Sequence, residues 1–112
     1  MSEEEKDMNK LGIFVTNPHQ DTWRHLKGIV KAVQKAGKTV RVFFTFKSVY
    51  LVQQSDFLEF VKMIPEEDFA ICHDSYTCEG FDGIPTGLTE KQMRSQAYHG
   101  DIVDVCGKYI SL

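Results

Sequence analysis

The 112-residue chain has no run of apolar residues long enough to cross a bilayer as a helix. It has no excess of positive charge either. Thirteen basic against sixteen acidic residues leave a net charge of −3. Nucleic acids and anionic membranes reward a clustered positive surface, so neither is an expected partner. The stretch Met1-Ser2-Glu3-Glu4-Glu5-Lys6-Asp7 has neither the basic start nor the apolar middle of a secretory leader. A soluble, cytoplasmic protein is the expectation. Three cysteines, an odd number without regular spacing, do not form a disulfide framework, and a reducing compartment keeps them as thiols.

Other signatures are missing as well. Gly80-Phe81-Asp82-Gly83 supplies neither G-x-G-x-x-G nor G-x-x-x-x-G-K-[ST], so no dinucleotide or P-loop site is expected. No G-x-S-x-G is present for an esterase. Cys-x5-Cys with scattered histidines matches no common zinc spacing, and no metal is expected. Were a metal held, Cys72, Cys78 and His99 would be its ligands. There is no internal repeat and no low-complexity segment.

What remains is an ordinary globular balance, with 42% hydrophobic and 26% charged residues. Residues 1–8 read as a solvated, disordered tail, and residues 9–112 as one domain. Leu11-Gly12-Ile13-Phe14-Val15-Thr16 is a nearly continuous apolar run, the pattern of a strand buried on both faces. Asn17-Pro18 interrupts it, with Asn17 suited to cap a helix and Pro18 to its first position.

A helix is predicted over 20–36. Trp23, Leu26, Ile29 or Val30, and Val33 form one apolar stripe, and Gly37 stops it. Thr39 to Phe46 is rich in β-branched and aromatic residues and reads as a second strand. Ser55 to Ile64 reads as a helix with Ser55 or Asp56 near its cap, ended by Pro65. Asp68-Phe69-Ala70-Ile71-Cys72 reads as a third strand, and Gly80, Gly83, Pro85 and Gly87 as a loop. Thr89 to Gln96 reads as a helix start capped by Thr89. Lys108 to Leu112 reads as a last short strand.

Strands alternating with helices imply right-handed crossovers and a mostly parallel sheet covered on both faces, a three-layer α/β/α fold. Ligands of such sheets bind outside the carboxyl ends of the strands. Three segments meet there: 16–20, 46–50 and 72–80. The candidate crevice residues are His19, Lys47, Ser48, Asp74, Ser75 and Gly80.

Cys72 closes the third strand. A helix starting just after it would favour the thiolate, the form that attacks sulfane sulfur. The competing reading is an inert, buried strand-end cysteine. Cys78, six residues on, would either meet Cys72 as a resolving thiol or lie out of reach. Cys106, among apolar neighbours, reads as core packing. His25 reads as a helix-surface residue.

The order strand, helix, strand ending in Phe43-Phe44-Thr45-Phe46-Lys47-Ser48-Val49-Tyr50, followed by Ala70-Ile71-Cys72 with Gly80 eight residues on, resembles the DsrE/DsrF-like sulfur relay family, which includes TusD. The resemblance implies a flavodoxin-like α/β/α sheet and a homo-oligomer, a trimer or hexamer. It implies a sulfurtransferase that needs no organic cofactor and carries persulfide on Cys72. Donor and acceptor proteins would be its partners, with Cys78 as resolving thiol and His73 or His99 assisting proton transfer. The alternative is a non-catalytic binding or scaffold subunit that holds a small anion or a partner peptide in the same crevice. The carboxylates of Asp74, Glu79 and Asp82 favour that alternative, because nearby negative charge disfavours a thiolate.

Overall fold

A computed structural model describes residues 6–112. Five strands form one sheet in the order β4-β3-β2-β1-β5, and every neighbouring pair is parallel. The strands are β1 Asp7–Val15, β2 Thr39–Phe44, β3 Phe69–Cys72, β4 Met93–Arg94 and β5 Cys106–Ser111. The helices are α1 Gln20–Lys35, α2 Phe57–Lys62, α3 His73–Cys78 and α4 Ala97–Val105, with 3-10 turns at Phe46–Gln53, Glu66–Asp68 and Glu90–Gln92. This is the expected single-domain, flavodoxin-like α/β/α architecture.

Handedness decides what covers each face. From β1 to β4 the chain steps in one direction across the sheet, so right-handed connections place α1, α2 and α3 on one side. The return from β4 at one edge to β5 at the other reverses direction, so α4 crosses the opposite side. The two cores match this division. Ile13, Val15, Val42, Phe44, Phe69 and Ile71 point toward Trp23, Leu26 and Val30 of α1 and Phe57, Phe60 and Val61 of α2. The alternate side chains Phe14, Phe43, Ala70 and Cys72 meet Tyr98 and Ile102 of α4, together with Cys106. Among the described residues, α4 is the helix that covers this second face.

Gly12 makes that coverage possible. A Cβ built on it would stand 2.2 Å from Ile102 Cγ2, 3.1 Å from Tyr109 Cβ and 3.3 Å from Cys106 Sγ. The bare backbone of β1 is the seat of α4. Below it, Asp68 Oδ1 accepts from Lys10 Nζ at 2.7 Å and Arg41 Nε at 3.0 Å, and the Asp68 side chain is only 5% exposed.

The first helix spans nearly the expected residues, with its apolar stripe on the core and Gly37 (φ 80°) closing it. Its cap differs. The helix begins at Gln20, and Asn17 folds the preceding turn by accepting from the His19 N–H and the Thr22 hydroxyl. Asp56 stands at the N-cap of α2, but its carboxylate serves Trp23 Nε1 (2.9 Å) and Lys27.

Three boundaries are corrected. Residues 1–5 of the expected tail lie outside the described residues, while Asp7 and Met8 belong to β1, where Asp7 pairs with Cys106. The predicted helix start at Thr89–Gln96 is a single 3-10 turn followed by β4. Thr89 caps it and its backbone N–H donates to Gln92 Oε1 in the reciprocal bond, but Met93 and Arg94 pair with Ile71 and Cys72 instead of continuing a helix. The last strand starts at Cys106 rather than Lys108, and α4 precedes it.

Candidate functional site

Cys72 ends β3 at the carboxyl edge of the sheet and sits at the N-cap of α3. It is 1% exposed, on the α4 side. Its sulfur accepts from Gln96 Nε2 at 3.2 Å. The same nitrogen donates to Thr45 Oγ1 at 2.7 Å. Thr45 Oγ1 lies 3.3 Å from Ser75 Oγ, which in turn accepts from the Phe46 backbone N–H at 2.9 Å. One polar chain thus joins the end of β2, the end of β3, Ser75 in the first turn of α3 and the entry to α4. Four segments converge here because β2 and β3 are adjacent and α4 begins its crossing beside them.

Phe46 shapes the rim. Its φ of 55° lies in the left-handed region, uncommon and strained for a bulky residue, and the residue is 63% exposed. The kink ends β2 at Phe44, two residues before the predicted end of that strand, and turns the N–H of Phe46 toward Ser75.

The sequence-expected residues divide into those this corner gathers and those it does not. Ser75 belongs to the polar chain. Ser48 is buried, its single hydroxyl proton shared between Val15 O (2.6 Å) and Thr45 O (2.7 Å), so it pins the 3-10 turn to the strand ends instead of facing a ligand. Lys47 is exposed and pairs with Glu79 at 3.6 Å. His73 and Asp74 are exposed on the first turn of α3, and Gly80 (φ 93°) ends that helix. His19 lies beyond β1, two strands and about 10 Å from β3. His99 is exposed on α4 with its ring 4.0 Å from that of Phe14 in β1, again two strands from Cys72.

Cys78 is exposed at the far end of α3. Six helical steps separate it from Cys72, about 9 Å along the axis. Cα atoms beyond about 7 Å do not bridge without backbone movement. With α3 folded, the two thiols do not form a disulfide. Cys72, Cys78 and His99 are likewise not gathered, and among the described residues no group of three His, Cys, Asp or Glu side chains is arranged to hold a metal. Cys106 is fully buried, and burial pushes its thiol pKa up, in keeping with core packing.

Thr45 and Gln96 are the residues that sequence reasoning missed. Both are ordinary polar residues. Their only sequence signal is position, Thr45 at the end of an apolar strand and Gln96 just before an undetected helix.

The chain superposes on the crystal structure of the ychN protein from E. coli with a TM-score of 0.64 at 8% sequence identity, covering 95% of this chain and 100% of that one. That neighbour has a DsrE/TusD-like fold, so the likeness extends over nearly the whole domain at the level of fold. No family model and no curated protein matches the sequence. No described helix is long and apolar enough to cross a membrane.

Proposed function

We propose that this chain is a sulfur carrier in which Cys72 accepts sulfane sulfur as a persulfide and passes it to a partner protein. The observation that carries the reading is the seat of Cys72. It lies at the carboxyl end of a strand in a DsrE-like sheet, with an amide N–H from Gln96 directed at its sulfur. A sulfur anion is a better acceptor for that N–H than a neutral thiol.

In the loading step the Cys72 thiolate attacks the terminal sulfur of a donor R–S–SH. A new S–S bond forms to Cys72 and the donor's S–S bond breaks. R–S⁻ leaves with the bonding pair, and the proton stays on the transferred sulfur. Release to the acceptor is the same exchange with Cys72 as the leaving thiolate. Nothing is oxidised overall, and no cofactor is required. His73, on the turn that follows Cys72, is the nearer of the two candidate histidines by position in the fold, and it is the one we assign to proton exchange with the leaving thiol. Donor and acceptor proteins, a homo-oligomeric state and a cytoplasmic setting complete the proposal.

The burial of Cys72 favours a second reading, a binding or scaffold subunit in which this thiol is only packing. One experiment separates the two. The protein and its Cys72→Ser variant are incubated with a low-molecular-weight persulfide donor, and intact mass is measured. Gain of one sulfur by the wild type, absent in the variant, supports the carrier. No gain at Cys72 leaves the binding subunit.

A further inference from the structure

We infer that Gln96 is the cover of Cys72: its side chain closes the sulfur from solvent and must swing aside before a donor, or any small electrophile, can reach it. The inference takes Cys72 as the acceptor of the carrier reading and names what regulates access to it.

The geometry is specific. Gln96 is an exposed residue on the link between β4 and α4, yet its Nε2 reaches Thr45 Oγ1 at 2.7 Å and the sulfur at 3.2 Å. The helix does not depend on that side chain. Gln96 makes no side-chain cap bond, and its contribution to the first turn of α4 is the backbone carbonyl that accepts from the His99 N–H. The amide is held by two contacts, one to the Thr45 hydroxyl and one to the sulfur itself. Each neutral hydrogen bond biases such a closed state about five- to tenfold. The open form is then populated at roughly one part in thirty to one in a hundred, enough for turnover but slow.

The same cover discriminates between the empty and loaded thiol. A persulfide places its outer sulfur about 2 Å beyond Sγ. The amide nitrogen stands 3.2 Å from Sγ, which leaves no room for that atom along the same direction. Loading therefore requires the Gln96 side chain to move off, and Thr45 is the partner it leaves behind.

The test reads the alkylation rate of Cys72 by iodoacetamide, followed by peptide mass spectrometry in a Cys78→Ser background so that the exposed thiol does not contribute. Gln96→Ala is expected to react about 30-fold faster, the inverse of the closed-state bias. Thr45→Val, which removes one anchor, is expected to react about five- to tenfold faster. Cys106 is the internal control, because it is fully buried in the same α4 core. If Gln96→Ala merely loosened α4, Cys106 would become reactive in parallel. An unchanged Cys72 rate, or an equal rise at Cys106, overturns the inference. Sulfur loading by a small persulfide donor is measured on the same variants. Alkylation that responds as stated without any loading upholds the cover and removes the carrier reading. Loading with no response to Gln96→Ala does the reverse.

Discussion

Replacing Gly12 by alanine is the sharpest probe of how the second face is built. The added methyl would lie 2.2 Å from Ile102 Cγ2, where ordinary contacts between carbons are about 3.5–4.0 Å. More than an ångström must be found. Ile102 is fully buried in the middle of α4, and its β-branched side chain has one strongly preferred χ1 in a helix, so rotation does not provide the space. The helix must lift. Overpacking of this kind costs about 1–3 kcal/mol, partly offset by about 0.5–1 kcal/mol from the lower chain entropy of alanine.

A net loss of about 1–2 kcal/mol corresponds to a fall in Tm of about 4–10 °C for a domain of this length. Urea unfolding followed by far-UV circular dichroism measures it, and Ile102→Ala supplies the second arm of a double-mutant cycle. Ile102→Ala alone should cost about 2–5 kcal/mol through the cavity it leaves. The double variant should cost at least about 1 kcal/mol less than the sum, because the new methyl then fills part of that cavity. Strict additivity, or a neutral Gly12→Ala, would refute the reasoning that α4 rests directly on the β1 backbone.

Asp68→Ala leaves Lys10 and Arg41 largely buried without their shared counter-charge, and a loss of about 3–5 kcal/mol in chemical denaturation is expected. The same change measured below 1 kcal/mol would mean that both cations reach water freely. Asp56 is held below the usual carboxylate range by the hydrogen bond from Lys27, joined by that of Trp23. Its stabilising contribution is therefore present above about pH 4, the unfolded value, and fades as pH falls below it. A stability profile from pH 6 to pH 2, followed by Trp23 fluorescence, should flatten in Lys27→Ala relative to wild type. Phe46→Gly relieves a left-handed backbone while giving up little buried surface, so a gain of up to about 1 kcal/mol is expected from thermal unfolding. A loss would show that the exposed ring is anchored by packing.

The sequence carries the α1 and α2 side of the molecule well, because that side is built from local signals. The stripe Trp23, Leu26 and Val30, the stop at Gly37 and the β-branched and aromatic run from Thr39 each specify their own element. The strand-end position of Cys72 follows from the same reading. The α4 side is less legible. Ile102, Val103 and Val105 are weak helix formers and Gly100 a poorer one, so Ala97–Val105 shows no strong periodicity. The crossing from β4 to β5 imposes that helix, and this is a property of topology. Met93 and Arg94 are strand only because β3 offers an unpaired edge there. Gly12 was the available clue, since a glycine inside a buried strand signals close approach by another element.

The unequal cover of the two faces bears directly on the candidate site. Side chains alternate along β3, so Ile71 enters the core under α1 and α2, and Cys72 enters the thinner one under α4. That thinner layer is a nine-residue helix seated on Gly12, and its first neighbour in the chain is Gln96. A thiol placed one residue earlier would enter the larger core that holds Phe44, Phe57, Phe60 and Phe69. At position 72 it packs with Phe14, Phe43, Tyr98 and Ile102, and the Gln96 amide stands 3.2 Å from its sulfur. Reactivity at Cys72 and the packing of α4 are thus linked, and any change that lifts the helix, Gly12→Ala included, should also quicken alkylation of Cys72. A lifted helix that left the rate unchanged would place the barrier to Cys72 in the Gln96 side chain alone.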